Sequence, residues 1–173
     1  MEDAFLRVEL LSKRALLVPT ELLEKSSKEQ ELKVVGIAVA ADEDIVTIVD
    51  RDLTVLVVAP RELTSSLETE FAGRYEFTTP LLRRPVSDKA HMILDVCDEL
   101  ATVKIYDKDR KLRFVDVYDA QSTASIIFWV QRLSSVMKLS GYTLYIYRGD
   151  ATLSRLLNKN FKNTLYANNK RSI

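Results

Sequence analysis

Apolar and polar positions open the chain in two short bursts, FLRVELLS over 5–12 and RALLVP over 14–19. They predict short strands or one bent strand. Thr20 is placed to cap a mostly solvated helix over 21–30, anchored only by Leu22 and Leu23. LKVVGIAVA, 32–40, is an almost unbroken apolar run rich in β-branched residues and predicts an interior strand. DIVTIVD (44–50) and LTVLVVAP (53–60) follow across Asp50-Arg51-Asp52, completing a hairpin or meander.

Pro60 then opens a helix whose Leu63, Leu67 and Phe71 share one stripe, with Gly73 placed as a left-handed C-terminal cap. RYEFTT (74–79) reads as a strand. PLLRRPVSD, 80–88, holds two prolines and a basic pair and reads as a linker. After it, Ser87 or Asp88 is placed to cap a helix over 88–100, with Ile93, Val96, Cys97 and Leu100 inward. TVKIY (102–106) and KLRFVDVY (111–118) form a hairpin across Asp107–Arg110. The strongest helical pattern covers 125–141, where Ile126, Trp129, Val130, Leu133, Val136 and Met137 make a broad stripe ended by Gly141. YTLYIY (142–147) is a strand, and 150–162 a last helix capped by Asp150, with Leu153, Leu156, Leu157 and Phe161 inward.

Hairpins mixed with strand–helix–strand units predict an α+β fold: a mixed, partly antiparallel sheet of short strands and hairpins, covered by about four to five helices. The chain of 173 residues suits a single compact domain, or two small halves over 1–80 and 88–173 joined by the Pro-containing linker at 80–88. TIVDRDLTVLVVAPRE (47–62) and KIYDKDRKLRFVDVYDAQ (104–121) echo one another as strand, acidic turn, strand and helix start, a likeness that turn chemistry alone accounts for.

Composition narrows the chemistry. Hydrophobic residues make up 47% and charged ones 29%, the profile of a folded globule. Only four glycines are present, and no glycine-rich phosphate loop or nucleophile elbow can be written from them. The sole cysteine, Cys97, rules out an intrachain disulfide, and with the sole histidine, His91, it is too little for a structural zinc site. On the predicted helix those two lie near opposite faces. No cofactor is implied. The acidic N-terminus is unlike a signal peptide and no apolar run is long enough for a membrane span, so the expected setting is cytoplasmic, without membrane contact.

Twenty-five bases balance twenty-five acids, but unevenly: the net charge is −8 over residues 1–100, +3 over 101–150 and +5 over 151–173. The candidate binding residues follow that gradient. Arg155, Lys159 and Lys162 lie at helical spacing on one face, with Phe161, Tyr166, Lys170 and Arg171 beyond or among them. A basic helical face with nearby rings suits nucleic acid. It equally suits an acidic protein surface or self-association, and the helix dipole alone also favours cations there. Residues 163–173 form a candidate arm.

A second candidate is the strand–helix junction holding Asp116, Asp119, Ser122 and Thr123, since ligands bind at such junctions in sheets with helical crossovers. Helix capping by Asp119, Ser122 or Thr123 explains the same residues without a ligand. In element order, Val115 to Leu157 resembles the second half of a STAS domain, which implies phosphorylation near Ser122 or Thr123 and regulated partner binding. Gln121 and Ala124 stand where that family's motif has Asp and Gly, and the N-terminal half does not follow it. The reading of the whole is a non-enzymatic interaction or regulatory module, a subunit of a larger assembly. A nucleic-acid-associated protein using the basic C-terminal helix is the alternative.

Overall fold

The computed structural model describes residues 5–149 and 151–166. The chain divides between Arg83 and Arg84 into two compact units. Among the described residues there are ten strands and four α-helices, a mixed α and β composition at the lower end of the expected helix count. No described helix is long and apolar enough to cross a membrane.

In the N-terminal unit, β1 (Leu6–Glu9) pairs in parallel with β5 (Tyr75–Thr78). β2 (Ala15–Pro19), β3 (Glu43–Asp50) and β4 (Leu53–Pro60) make an antiparallel sheet in the order β2-β4-β3. The middle strand is buried from Thr54 to Ala59, as its unbroken apolar run requires. Arg51, with φ 58°, turns the β3–β4 hairpin. Pro60 precedes α2 (Arg61–Phe71), since its fixed φ suits entry into a helix. The left-handed stop of α2 falls on Ala72 (φ 48°), one residue before the expected Gly73, which follows at φ 79°.

Two expectations fail here. The first helix, α1, spans Lys28–Val34 rather than 21–30, and Thr20–Leu22 forms only a 3₁₀ turn. Ser27 sets the start: its hydroxyl accepts from the Gln30 N–H (3.2 Å), and the Gln30 side chain accepts from the Ser27 N–H (3.0 Å). That reciprocal box satisfies two otherwise orphaned donors and outweighs the isolated Thr20 signal. The predicted strand over 32–40 is absent. Its first residues complete α1, and Gly36 at φ 79° breaks the run. Leu32 is fully buried with Leu56 and Val58, while Val34 is 82% exposed. The apolar run does not form a strand, because only some of its residues face the core.

In the C-terminal unit, β6 (His91–Cys97), β7 (Leu100–Tyr106), β8 (Leu112–Asp119), β9 (Thr143–Tyr147) and β10 (Asn163–Tyr166) form one sheet in the order β10-β9-β6-β7-β8. β6, β9 and β10 run parallel; β7 is antiparallel to β6 and to β8. α3 (Thr123–Met137) connects β8 to β9, and α4 (Ala151–Leu157) connects β9 to β10. Their inner faces meet Met92, Leu94, Val103, Ile105, Leu144 and Ile146 in the main core. Each such side chain contributes about 1.5–3 kcal/mol by leaving water. The local form of β7-turn-β8-α3 repeats β3-turn-β4-α2, with Arg110 (φ 60°) at the later turn.

The predicted helix over 88–100 is instead the central strand β6. His91, Met92, Ile93, Leu94 and Asp95 are all buried, and continuous burial hides the period of two. Asp98 (φ 51°) turns directly into β7. α3 also departs from its predicted stripe: it stops at Lys138 (φ 56°), not Gly141, and Val136 is 73% exposed.

Candidate functional site

The strand–helix junction is occupied by capping. Ser122 accepts from the Ser125 N–H (3.1 Å), and the Ser125 hydroxyl accepts from the Ser122 N–H (3.2 Å). Thr123 is the first residue of α3. Asp116 and Asp119 are both exposed, three positions apart on a strand and so on opposite faces. Asp116 accepts from the N–H of Val117 (2.8 Å). Burial, then the Asp116 carboxylate, pushes the Tyr118 hydroxyl up to about 12. Tyr118 stacks on Trp129 (4.8 Å between centroids). Strict alternation would put Leu112 on the face of Phe114, Asp116 and Tyr118, but a bulge at Ile105/Tyr106 shifts it off that face, where it packs with Ile93, Tyr106 and Tyr147. The two carboxylates therefore do not converge.

On the side of the sheet away from α3 and α4, neighbouring strands present His91, Asp95, Thr102 and Lys104, each at most 1% exposed. His91 and Cys97 share this strand and its parity, so they lie on one face rather than on opposite ones. The His91 Nδ1–H donates to the Lys89 carbonyl (2.6 Å), and Nε2 accepts from the Val86 N–H (3.3 Å). Burial holds its pKa below the ordinary value, and Arg110 adds to that. Arg148 donates to Asp95 (2.7 Å). The cluster has no sequence signal, because the continuous burial of β6 hides which residues share a face. Among the described residues no group of histidine, cysteine and carboxylate side chains is placed to hold a metal.

In the N-terminal unit a cleft of ≈ 630 Å³ is lined by Lys28, Ile45, Arg61, Thr64, Tyr75 and Phe77 among others. Its charges are largely matched from within. Arg14 donates to both Glu43 oxygens and, with the Ala40 N–H, holds that carboxyl down to about 2. Thr64 and Arg61 donate to Asp44 (2.6 and 3.0 Å) and lower its pKa.

The basic tail is built differently from expectation. α4 ends at Leu157, so Arg155, Lys159 and Lys162 do not share a helical face; Arg155 lies on α4 and the lysines in the connection to β10. Beyond the helix Phe161 still packs in the core, 6% exposed. All three cations are exposed, and among the described residues none is ion-paired. Part of the candidate arm is β10, paired with β9 from Asn163 to Tyr166. Asp150, Lys170 and Arg171 lie outside the described residues.

β10 has a property that the other edge strands lack. A sheet edge exposes unpaired N–H and C=O groups, which proteins blunt with charge or proline. β2 ends in Pro19, β3 carries Glu43, Asp44 and Asp50, and β8 carries Arg113, Asp116 and Asp119. Among the described residues, of the four edges of the two larger sheets, β10 (NTLY) alone has neither. Leu165 is 47% and Tyr166 44% exposed on it. The sequence continues uncharged to Asn169.

No protein-family model matches the chain. No curated protein matches it either. Among solved structures it is similar to a Bacteroides thetaiotaomicron protein described as having an actin-like ATPase fold and unknown function. Identity is 12% and the TM-score 0.75, covering 95% of this chain and 68% of that one. The cytoplasmic domain of EpsL, an inner membrane component of the type II secretion system of Vibrio cholerae, also aligns. There identity is 12% and the TM-score 0.36, covering 89% of this chain and 73% of that domain, a loose superposition. The chain thus shares its fold with the Bacteroides protein of actin-like ATPase fold.

Proposed function

We propose that the protein is a non-enzymatic interaction module, a cytoplasmic subunit of a larger assembly that docks through the edge of its C-terminal sheet. The observation that carries this reading is β10, an uncharged edge strand without proline, ending in exposed Leu165 and Tyr166, beside three exposed cations. Edge strands of this kind pair with other chains by main-chain hydrogen bonds. The scarcity of glycine and the separation of Asp116 from Asp119 also favour binding over catalysis. The nucleic-acid alternative loses support, because the cations do not line one helix and Phe161 is buried away from any base.

The test is cross-linking in cells followed by purification of the protein and of a Leu165→Asp variant. A charge on the edge should abolish a complex that the parent protein forms. Recovery of the same complexes, or of none, from both proteins counts against the reading.

A further inference from the structure

The charge surrounding β10 says what kind of strand it accepts. Among the described residues Arg155, Lys159 and Lys162 are exposed and meet no carboxylate. Lys159 and Lys162 lead directly into Asn163, where β10 begins, and the Lys162 N–H already extends the ladder by donating to the Tyr142 carbonyl (3.1 Å). Cations and open main-chain groups are therefore contiguous. Resting on the interaction reading above, we infer that β10 accepts an extended acidic segment of a partner protein as a sixth strand. The partner's carboxylates meet Lys159 and Lys162, with Arg155 adding to the field.

Three considerations select this occupant. A nucleic acid has no amide N–H and C=O ladder to satisfy a strand edge, and single strands need exposed rings to stack on. Phe161, the ring between the two lysines, is buried, which leaves Tyr166 as the single exposed ring on the strand. Pairing with a second β10 supplies no carboxylate, since Asn163–Tyr166 contains no acid. An acidic strand satisfies both the backbone and the charge.

The experiment uses the full chain and a short fluorescein-labelled peptide alternating glutamate with valine. Polarisation should report saturable binding, with NMR shifts centred on Asn163–Tyr166. Reversing both lysines, K159E/K162E, should weaken it about tenfold, given surface pairs of up to ~1 kcal/mol each. Added salt should weaken it further. N-methylating one alternate set of peptide amides should abolish binding, a control that leaves the protein untouched. If a lysine–valine peptide binds as tightly, the acidic specificity is wrong while the edge remains a docking site. If neither peptide binds, or labelled single-stranded DNA binds instead with the same dependence on Lys159 and Lys162, the inference is overturned. The cellular cross-linking result decides the broader reading separately.

Discussion

Two hydrogen bonds hold His91 in one neutral tautomer, donor at Nδ1 and acceptor at Nε2, between Tyr106 stacked at 5.1 Å and Tyr145 edge-on at 5.6 Å. Protonation would turn the acceptor into a donor facing the Val86 N–H. Its pKa in the fold lies below its value in the unfolded chain, about 6.5. The unfolded state therefore takes up the proton first on acidification. Stability from this residue is complete above pH ~6.5 and is lost as pH falls towards the lower folded value. His91→Gln should flatten the drop in urea midpoint between roughly pH 7 and 5, although it starts from a lower midpoint. An unchanged slope would show that His91 is already solvated. Gly149 is constrained by space: a Cβ there would stand 2.6 Å from Ile146 Cγ2 and 3.2 Å from Leu153 Cδ2, both in the core. Gly149→Ala should cost about 1–3 kcal/mol and lower the melting temperature accordingly, and an unaltered melting curve would contradict this packing. Nothing in the sequence marked Gly149, because the contact depends on how α4 returns to β9.

At the scale of elements, helix starts are set by short polar signatures. Ser27→Ala and Ser122→Ala each remove a cap with a reciprocal partner and should each cost about 1 kcal/mol in denaturant unfolding, whereas Thr20→Ala leaves helix α1 untouched. Thr20 instead contacts the buried Thr54 hydroxyl (2.9 Å), so the start of α1 is read from helicity, and an equal loss of helical circular dichroism in the two variants would refute it. What was legible in the sequence follows from the same physics. β3, β4, β7, β8 and β9 were readable because acidic or glycine-bounded turns frame alternating or fully apolar runs. α2 and α3 were readable because one stripe faces the core. β6 was not, since a strand buried on both faces has no period, and its Ile93, Val96, Cys97 and Leu100 fall by chance at helical spacing. The buried polar cluster of His91, Asp95, Thr102 and Lys104 was lost with it. The basic residues of the tail are legible, but the helical face expected of them is absent, because α4 ends at Leu157 and a strand edge follows.

At the scale of the molecule, charge and division coincide. Up to Arg83 the chain holds 16 acidic and 10 basic residues, and from Arg84 onward 9 and 15, so the two units carry −6 and +6. Each has a core of its own, around Leu32, Leu56 and Val58 in one and Met92, Leu144 and Ile146 in the other. The connection between them, from Arg83 to Asp88, has no strand or helix to resist a protease. Arg84 precedes Pro85, which protects that bond from trypsin, so the first cuts should fall after Arg83 and Lys89. Under mild digestion both fragments should persist with native-like circular dichroism. They should then separate cleanly, the N-terminal one retained by an anion exchanger and the C-terminal one by a cation exchanger near neutral pH. Early cleavage within β6 or β7 would mean that the second core does not hold by itself. A stable basic fragment would carry the whole five-stranded sheet, and with it the open edge at β10 on which the proposed docking depends.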